Sequence, residues 1–213
     1  MAQYSPFPSF IRAAAMKYFS KEYGRDKAGQ LMNKTLELYG RFAEEAPDIG
    51  GKENKLSNNL YMALAVFAFY ETAEKKITPE DMKKMMTEYM PKSLPVVSSI
   101  IDFNKPKNQE KIRLRFEKYK ALSDEKFGSG QWGNSWRVEI NPHGREKGVA
   151  FDFIGCPLAD FAKSHSYMEI MPVLCEFDYI TAALMHARLV REHTVADGSE
   201  YCDYWYLGDK EEI

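Results

Sequence analysis

Cysteine is scarce and odd in number: three residues in 213, at positions 156, 175 and 202. That count excludes a disulfide framework and points to reduced thiols in the cytoplasm. Long apolar runs are missing. The longest, Leu60 to Tyr70, has eleven residues, whereas a bilayer span needs about twenty, so no membrane partner is expected. There is no basic excess either. Lys plus Arg total 29 against 31 for Asp plus Glu, a formal charge of -2, and nothing draws such a chain onto a phosphate backbone. Nucleic acid is not an expected partner. Residues 1–10 lack a charged segment followed by an apolar one, and Pro6 and Pro8 interrupt them, so no secretory leader is expected.

What is present is an ordinary globular composition with a change of period. The expectation is a single α+β domain over 1–213, with a helical portion at 1–127 and a sheet-containing portion at 128–213. From Ser9 to about Leu122 apolar residues recur at three and four, the helical spacing. One helix runs from Ser9 to Tyr23 and is ended by Gly24. A second is capped by Asp26 and stops before Pro47. A third is capped by Ser57 or Asn58 and runs through Tyr70 to about Lys75. Thr78-Pro79-Glu80-Asp81 is a helix start, with a capping threonine, proline at the first position and acids in the first turn; this helix runs to Met90-Pro91. Another follows Pro95. A charged helix spans about Pro106 to Leu122, with Ile112, Leu114, Phe116 and Tyr119 facing in.

Near Phe127-Gly-Ser-Gly-Gln-Trp-Gly the period shifts toward two. Trp136 to Ile140 and Val149 to Ile154 flank a loop of turn-forming residues and read as a hairpin. Cys156-Pro157 opens a helix to about Lys163, and another covers about Met168 to Met185. Arg188 to Ala196 and Tyr201 to Tyr206 form a second hairpin around Asp197-Gly198-Ser199. The order β-β-α-α-β-β, preceded by helices, predicts a small antiparallel sheet packed with the helical half.

Every cysteine and three of the four histidines fall in roughly the last sixty residues. Pro157 favours the first helical position, which makes Cys156 the N-cap, where amide donors and the helix dipole stabilise a thiolate. Cys156 is the first candidate nucleophile; the alternative is a small buried apolar residue after a strand. Cys175 and Asp178 are three apart on a helix and share a face. Asp178 is either a buried carboxyl of raised pKa that serves as acid or base, or a solvated carboxylate. Cys202 and Asp203 are adjacent on the last strand and point to opposite faces. His193 and Thr194 end the strand before it. Arg188 and Arg191 can hold a substrate carboxylate, or line a charged strand face. Three cysteines and a histidine also raise zinc at Cys156, Cys175 and Cys202, although no Cys-x2-Cys pair seeds such a site.

Cys156-Pro157-Leu158, Pro172-Val-Leu-Cys175-Glu-Phe-Asp178, His193-Thr194-Val-Ala-Asp-Gly198 and Tyr201-Cys202-Asp203-Tyr204, in this order and spacing, resemble the L-2-amino-thiazoline-4-carboxylic acid hydrolase family. Asn58-Asn59-Leu60, opening an apolar helix, is compatible with it. Where that family often carries arginine or phenylalanine after Cys-Asp, this chain has Tyr204-Trp205-Tyr206. The resemblance implies hydrolytic opening of a cyclic amidine-like ring to an N-carbamoyl-cysteine type product, without a cofactor. It implies Cys156, Cys175, Asp178, His193, Cys202 and Asp203 as catalytic residues and Thr194, Arg188, Arg191 and Asn58 as substrate contacts. A different class remains open: a small-molecule-binding or sensory module whose thiols and aromatics, Trp205, Tyr204 and Phe153 among them, line a pocket without turnover. A homo-oligomer also remains open, since the N-terminal helix can dock on its own core or on a second subunit.

Overall fold

The computed structural model describes residues 5–74, 76–93 and 101–212. The helix expected after Pro95 falls within 94–100, outside the described residues. Helix α1 (Ser9–Tyr23) turns directly into α2 (Arg25–Glu45). Gly24, with φ at +82°, serves as the last cap of one and the first cap of the other, a backbone state that favours glycine. Asp26 therefore lies inside the first turn of α2 and does not cap it. Helix α3 (Ser57–Thr72) begins one residue after its cap, Leu56, so neither Ser57 nor Asn58 caps it. The Ser57 hydroxyl instead donates to the Gly51 carbonyl. Residues Ala63 to Tyr70 of α3 are all buried, the mark of a helix apolar on every side and packed at the centre of a bundle. Helix α4 (Pro79–Ser93) starts as its sequence predicts, with the Asp81 amide donating to the Thr78 hydroxyl at 3.1 Å.

Helix α5 (Pro106–Gly128) runs past Leu122. Ile112, Phe116 and Tyr119 turn toward the sheet, and Phe116 stacks on Phe151 at 3.8 Å. Leu114 does not: it is 42% exposed. Two residues beyond Ile112 on a helix is slightly more than half a turn, so Leu114 falls on the solvent side.

The sheet comprises β1 (Arg137–Ile140), β2 (Val149–Ile154), β3 (Ala187–Val190) and β4 (Tyr201–Gly208), antiparallel throughout, in the order β1-β2-β4-β3. Between β2 and β3 lie α6 (Pro157–Ser164), a short 3-10 turn at Met168–Ile170, and α7 (Met171–Leu184). The fold class is α+β, as the pattern predicts. Side-chain alternation and register give the sheet two faces. Phe151, Phe153, Cys202, Tyr204 and Tyr206 share the inner face, under α5 and α7; Asp152, Tyr201, Asp203 and Trp205 share the outer one.

The second hairpin is shorter than predicted. Strand β3 ends at Val190, paired with Trp205, and residues 191–200 form a connection with a 3-10 turn at Val195–Asp197. The cause is local. Thr194 accepts from the Asp197 amide at 3.1 Å and donates to its carboxylate at 2.6 Å, a side-chain cap that competes with strand pairing.

One buried residue ties the helical half to the start of the sheet. Asn54, 2% exposed, donates to the Ile49 carbonyl at 2.6 Å and the Ser135 hydroxyl at 2.8 Å. It accepts from the Leu56 amide at 2.9 Å and the Tyr119 hydroxyl at 3.3 Å. Beside it Gly50, at φ +98°, leaves room for Trp132: a Cβ there would lie 1.9 Å from the indole nitrogen. Replacing Asn54 by Ala leaves several of these groups unsatisfied in the interior, which costs about 3 kcal/mol. Urea unfolding of Asn54→Ala is expected to show a lower midpoint with unchanged slope.

Candidate functional site

The inner face of the sheet and two helices bring three thiols together. Gly155, at φ +75°, turns the chain out of β2 so that Cys156 caps α6 in extended conformation, with Pro157 at the first helical position. Cys202 enters from β4 and Cys175 from α7. Each thiol interacts electrostatically with the other two, and Cys175 and Cys202 also with Asp178 and Arg191. The Cys202 sulfur accepts the Val195 amide at 3.2 Å.

Asp178 is not a free carboxylate. One oxygen, Oδ2, accepts from Arg191 Nη1 at 2.8 Å and from the Tyr204 hydroxyl at 2.9 Å. Arg191 Nη2 donates to the Cys175 carbonyl at 3.0 Å, and the guanidinium lies against the rings of Tyr179 and Tyr204, 4.9 and 5.1 Å from their centroids. The Arg191 side chain is 2% exposed, that of Asp178 36%. Burial opposes the arginine's charge, but Tyr204 and Asp178 hold it charged. Enclosure raises the Asp178 carboxyl above the usual range, and Arg191 and Tyr204 draw it back only in part. Both donors engage Oδ2.

All three thiols are shifted upward by burial. Cys156 reaches about 11, even though the Ala159 and Leu158 amides and the Trp136 indole favour its thiolate. Cys175 reaches about 12, with Arg191 opposing and Asp178 adding to the rise. The helix N-terminus at Cys156 thus acts in the expected direction but does not outweigh desolvation. The resting site holds neutral thiols, and the expectation of a ready thiolate is corrected.

The remaining predicted residues sit elsewhere. Asp203 lies on the outer face, where its carboxylate accepts the Glu192 and His193 amides, so it shapes the 191–200 connection. His193 is exposed, 5.4 Å from the Tyr201 ring on that same side, and belongs to no strand. Thr194 is occupied by Asp197. Arg188 donates to the Glu211 carbonyl at 2.7 Å. Asn58 is exposed and accepts from Ser5 at 2.8 Å. Arg191, alone of these, stands at the site, where Asp178 and the Cys175 carbonyl occupy it. Trp205 also parts from Tyr204 and Phe153: its indole donates to the Lys147 carbonyl at 2.9 Å on the outer face. The other histidines pair with Asp152, Glu45 and Asp209, so no histidine stands among the thiols. Among the described residues no three His, Cys, Asp or Glu side chains are placed to share a metal ion, and no helix is long and apolar enough to cross a membrane.

Trp136 is an addition to the residues singled out from the sequence, and Tyr204, expected there only as a pocket-lining aromatic, is a partner of Asp178. Strand alternation carries the signal for both, since Tyr204 follows Cys202 by two and Trp136 precedes the inner-facing Val138 by two. Two surface clefts, of about 760 and 610 Å³, are lined by Asp48, Gly50 and Trp132 and by Arg113, Arg145 and Glu211, respectively, and by no thiol.

A family model described as L-2-amino-thiazoline-4-carboxylic acid hydrolase matches residues 58–206, well over half of the chain. The chain belongs to this family. The matched stretch runs from α3 into β4 and includes the three cysteines, Asp178, Arg191 and Tyr204. No curated protein and no solved structure matches the chain.

The thiol environment of this family member predicts its reactivity. Below its pKa a thiol's ionised fraction grows about tenfold per pH unit. Alkylation of Cys156 by iodoacetamide, followed by peptide mass mapping, should therefore keep rising from pH 7 past pH 9 and level only near 11. A plateau at or below pH 8 would contradict the buried, neutral thiol.

Proposed function

We propose that the protein hydrolyses L-2-amino-thiazoline-4-carboxylic acid or a closely related cyclic amidine, with Cys156 as nucleophile and Asp178 as the proton-transfer group. The observation that carries this reading is the mutual interaction of Cys156, Cys175 and Cys202, and of the last two with Asp178, drawn from three separate elements of the fold. His193 and Asp203, on the other side of the sheet, have no part in it.

The chemistry balances with these groups. The Cys156 sulfur attacks the ring carbon between nitrogen and sulfur as its proton passes to a base. The ring carbon–sulfur bond breaks, the departing sulfur takes a proton, and a protein-bound isothiourea remains. Water then adds to that carbon and expels Cys156, leaving the N-carbamoyl group on a free cysteine. Asp178 suits the proton work because its raised pKa lies nearer neutrality and one of its oxygens is unoccupied. Since the resting thiol is neutral, the base must act in the same step as attack. Cys175 and Cys202 line the reacting centre.

A second reading, ligand binding without turnover, is favoured by one observation: burial makes all three thiols weakly reactive at neutral pH. Assay of purified protein with the thiazoline acid, following release of free thiol and of N-carbamoyl-cysteine, separates the two. Cys156→Ser is expected to lower turnover at least about a thousandfold and Asp178→Asn about a hundredfold, while His193→Ala stays within about twofold. Full turnover by Cys156→Ser sinks the nucleophile assignment; no turnover by the wild type favours the binding module.

A further inference from the structure

The cleft of about 760 Å³ lies between two turns, residues 48–53 after α2 and residues 130–134 between α5 and β1. Gly50, Gly51, Gly130 and Gly133 line it, so backbone forms much of its wall, and the volume is that of a small-ligand site. Trp132 is the aromatic residue in the lining. Its φ is +55°, a left-handed state that a bulky side chain rarely adopts and that persists only where the surroundings impose it. Here the ring stacks on Tyr119, centroids 6.3 Å apart, and its edge closes over Gly50. Trp132 is 6% exposed, yet no acceptor among the described residues meets its indole N–H. The sealed side-chain donors without a partner are Arg188 Nε and Arg191 Nε, so the Trp132 N–H is not sealed: it opens on the cleft that the residue lines.

The charges of the lining are all negative. Glu53 is held by Lys126 at 2.9 Å, but no lysine or arginine lines the cleft, and none pairs with Asp48 among the described residues. Asp48 Oδ1 accepts the Gly50 amide at 2.9 Å, and a Cβ on that same glycine would lie 1.9 Å from the indole nitrogen. Carboxylate and indole N–H therefore stand less than about 8 Å apart. An indole N–H can only donate, so the pair calls for a cation with a carbonyl oxygen beside it. We infer that the cleft binds the amino terminus of a peptide, its ammonium on Asp48 and its first carbonyl oxygen on the Trp132 indole N–H. In a terminal residue these two groups are about 3 Å apart, which with a hydrogen bond at each end spans the gap. A free amino acid fits less well, because its carboxylate would face Asp48 and Glu53 with no cation in the lining. No thiol lines the cleft, so this binding does not depend on the proposed reaction.

Proton–nitrogen NMR of the full chain tests it, since three tryptophans give three indole resonances. The Trp132 signal is assigned by its loss in Trp132→Phe or, should that variant not fold, by elimination with Trp205→Phe and Trp136→Phe. Titration with glycylglycinamide should shift the Trp132 signal saturably. N-acetyl-glycylglycinamide, which has no ammonium, and free glycine should leave it in place over the same concentrations. Asp48→Asn alters an exposed side chain and keeps an acceptor for the Gly50 amide. It removes the charge, and should raise the Kd for glycylglycinamide about tenfold, in protein whose spectrum otherwise overlays that of the wild type. A Trp132 signal that glycylglycinamide does not move, an equal response to the acetylated peptide or to glycine, or an unchanged Kd in Asp48→Asn overturns the inference.

Discussion

The Arg191–Asp178 ion pair is the interaction on which the arrangement of the thiols depends. It joins the connection after β3 to the third turn region of α7, and through the Tyr204 hydroxyl it reaches the inner face of β4. Cys175 and Cys202 belong to two of the three pieces so joined. A guanidinium enclosed to this degree has few alternatives. Without its carboxylate it would be an unpaired charge between two aromatic rings, a state that destabilises the fold far more than the pair itself stabilises it. The pair is better understood as fixing one geometry than as adding net stability. Its planar fork allows one group to hold a carboxylate and a helix carbonyl together, which a lysine could not reproduce.

That geometry sets a chemical problem. The same enclosure that gathers three cysteines also keeps them protonated, and the amide donors at the start of α6 moderate this without reversing it. A neutral resting thiol resists adventitious oxidation and alkylation, because the thiolate is the reactive form. It also means that proton removal belongs to the reaction and not to the resting state. In the proposed reaction Asp178 meets that demand, since burial lifts its pKa while both of its donors engage the same oxygen. In that reaction the two charged residues divide their work: Arg191 orders, and Asp178 exchanges the proton.

Much of this was legible in the chain. Periodicity located α1 to α5, with Gly24 ending α1 and Thr78 opening α4, although Asp26 and Ser57 or Asn58 do not cap α2 and α3; Pro157 marked Cys156 as the N-cap of α6. Alternation separated Cys202 from Asp203. Less legible was whatever depended on which residue a side chain meets. His193 looked attractive as a strand residue beside Cys202, but the Thr194–Asp197 cap pulls it out of the strand, and Asp203 binds its backbone amide. Arg188 and Arg191 are three apart and indistinguishable by composition. One ends on the Glu211 carbonyl, the other inside the site. Leu114 illustrates the same limit on α5, where three apolar neighbours face the sheet and it does not. Local pattern placed elements; long-range pairing chose partners.

The central claim is that Cys156 bonds covalently to the ring carbon of the substrate. Rapid acid quench of the protein during turnover of the thiazoline acid, followed by intact mass and peptide mapping, tests it most directly. The account predicts an adduct bearing the mass of the whole substrate, confined to the peptide that contains Cys156 and absent from Cys156→Ser. An adduct on Cys175 or Cys202 instead, or steady turnover with no adduct under acid conditions in which an S-alkyl isothiourea survives, would contradict it.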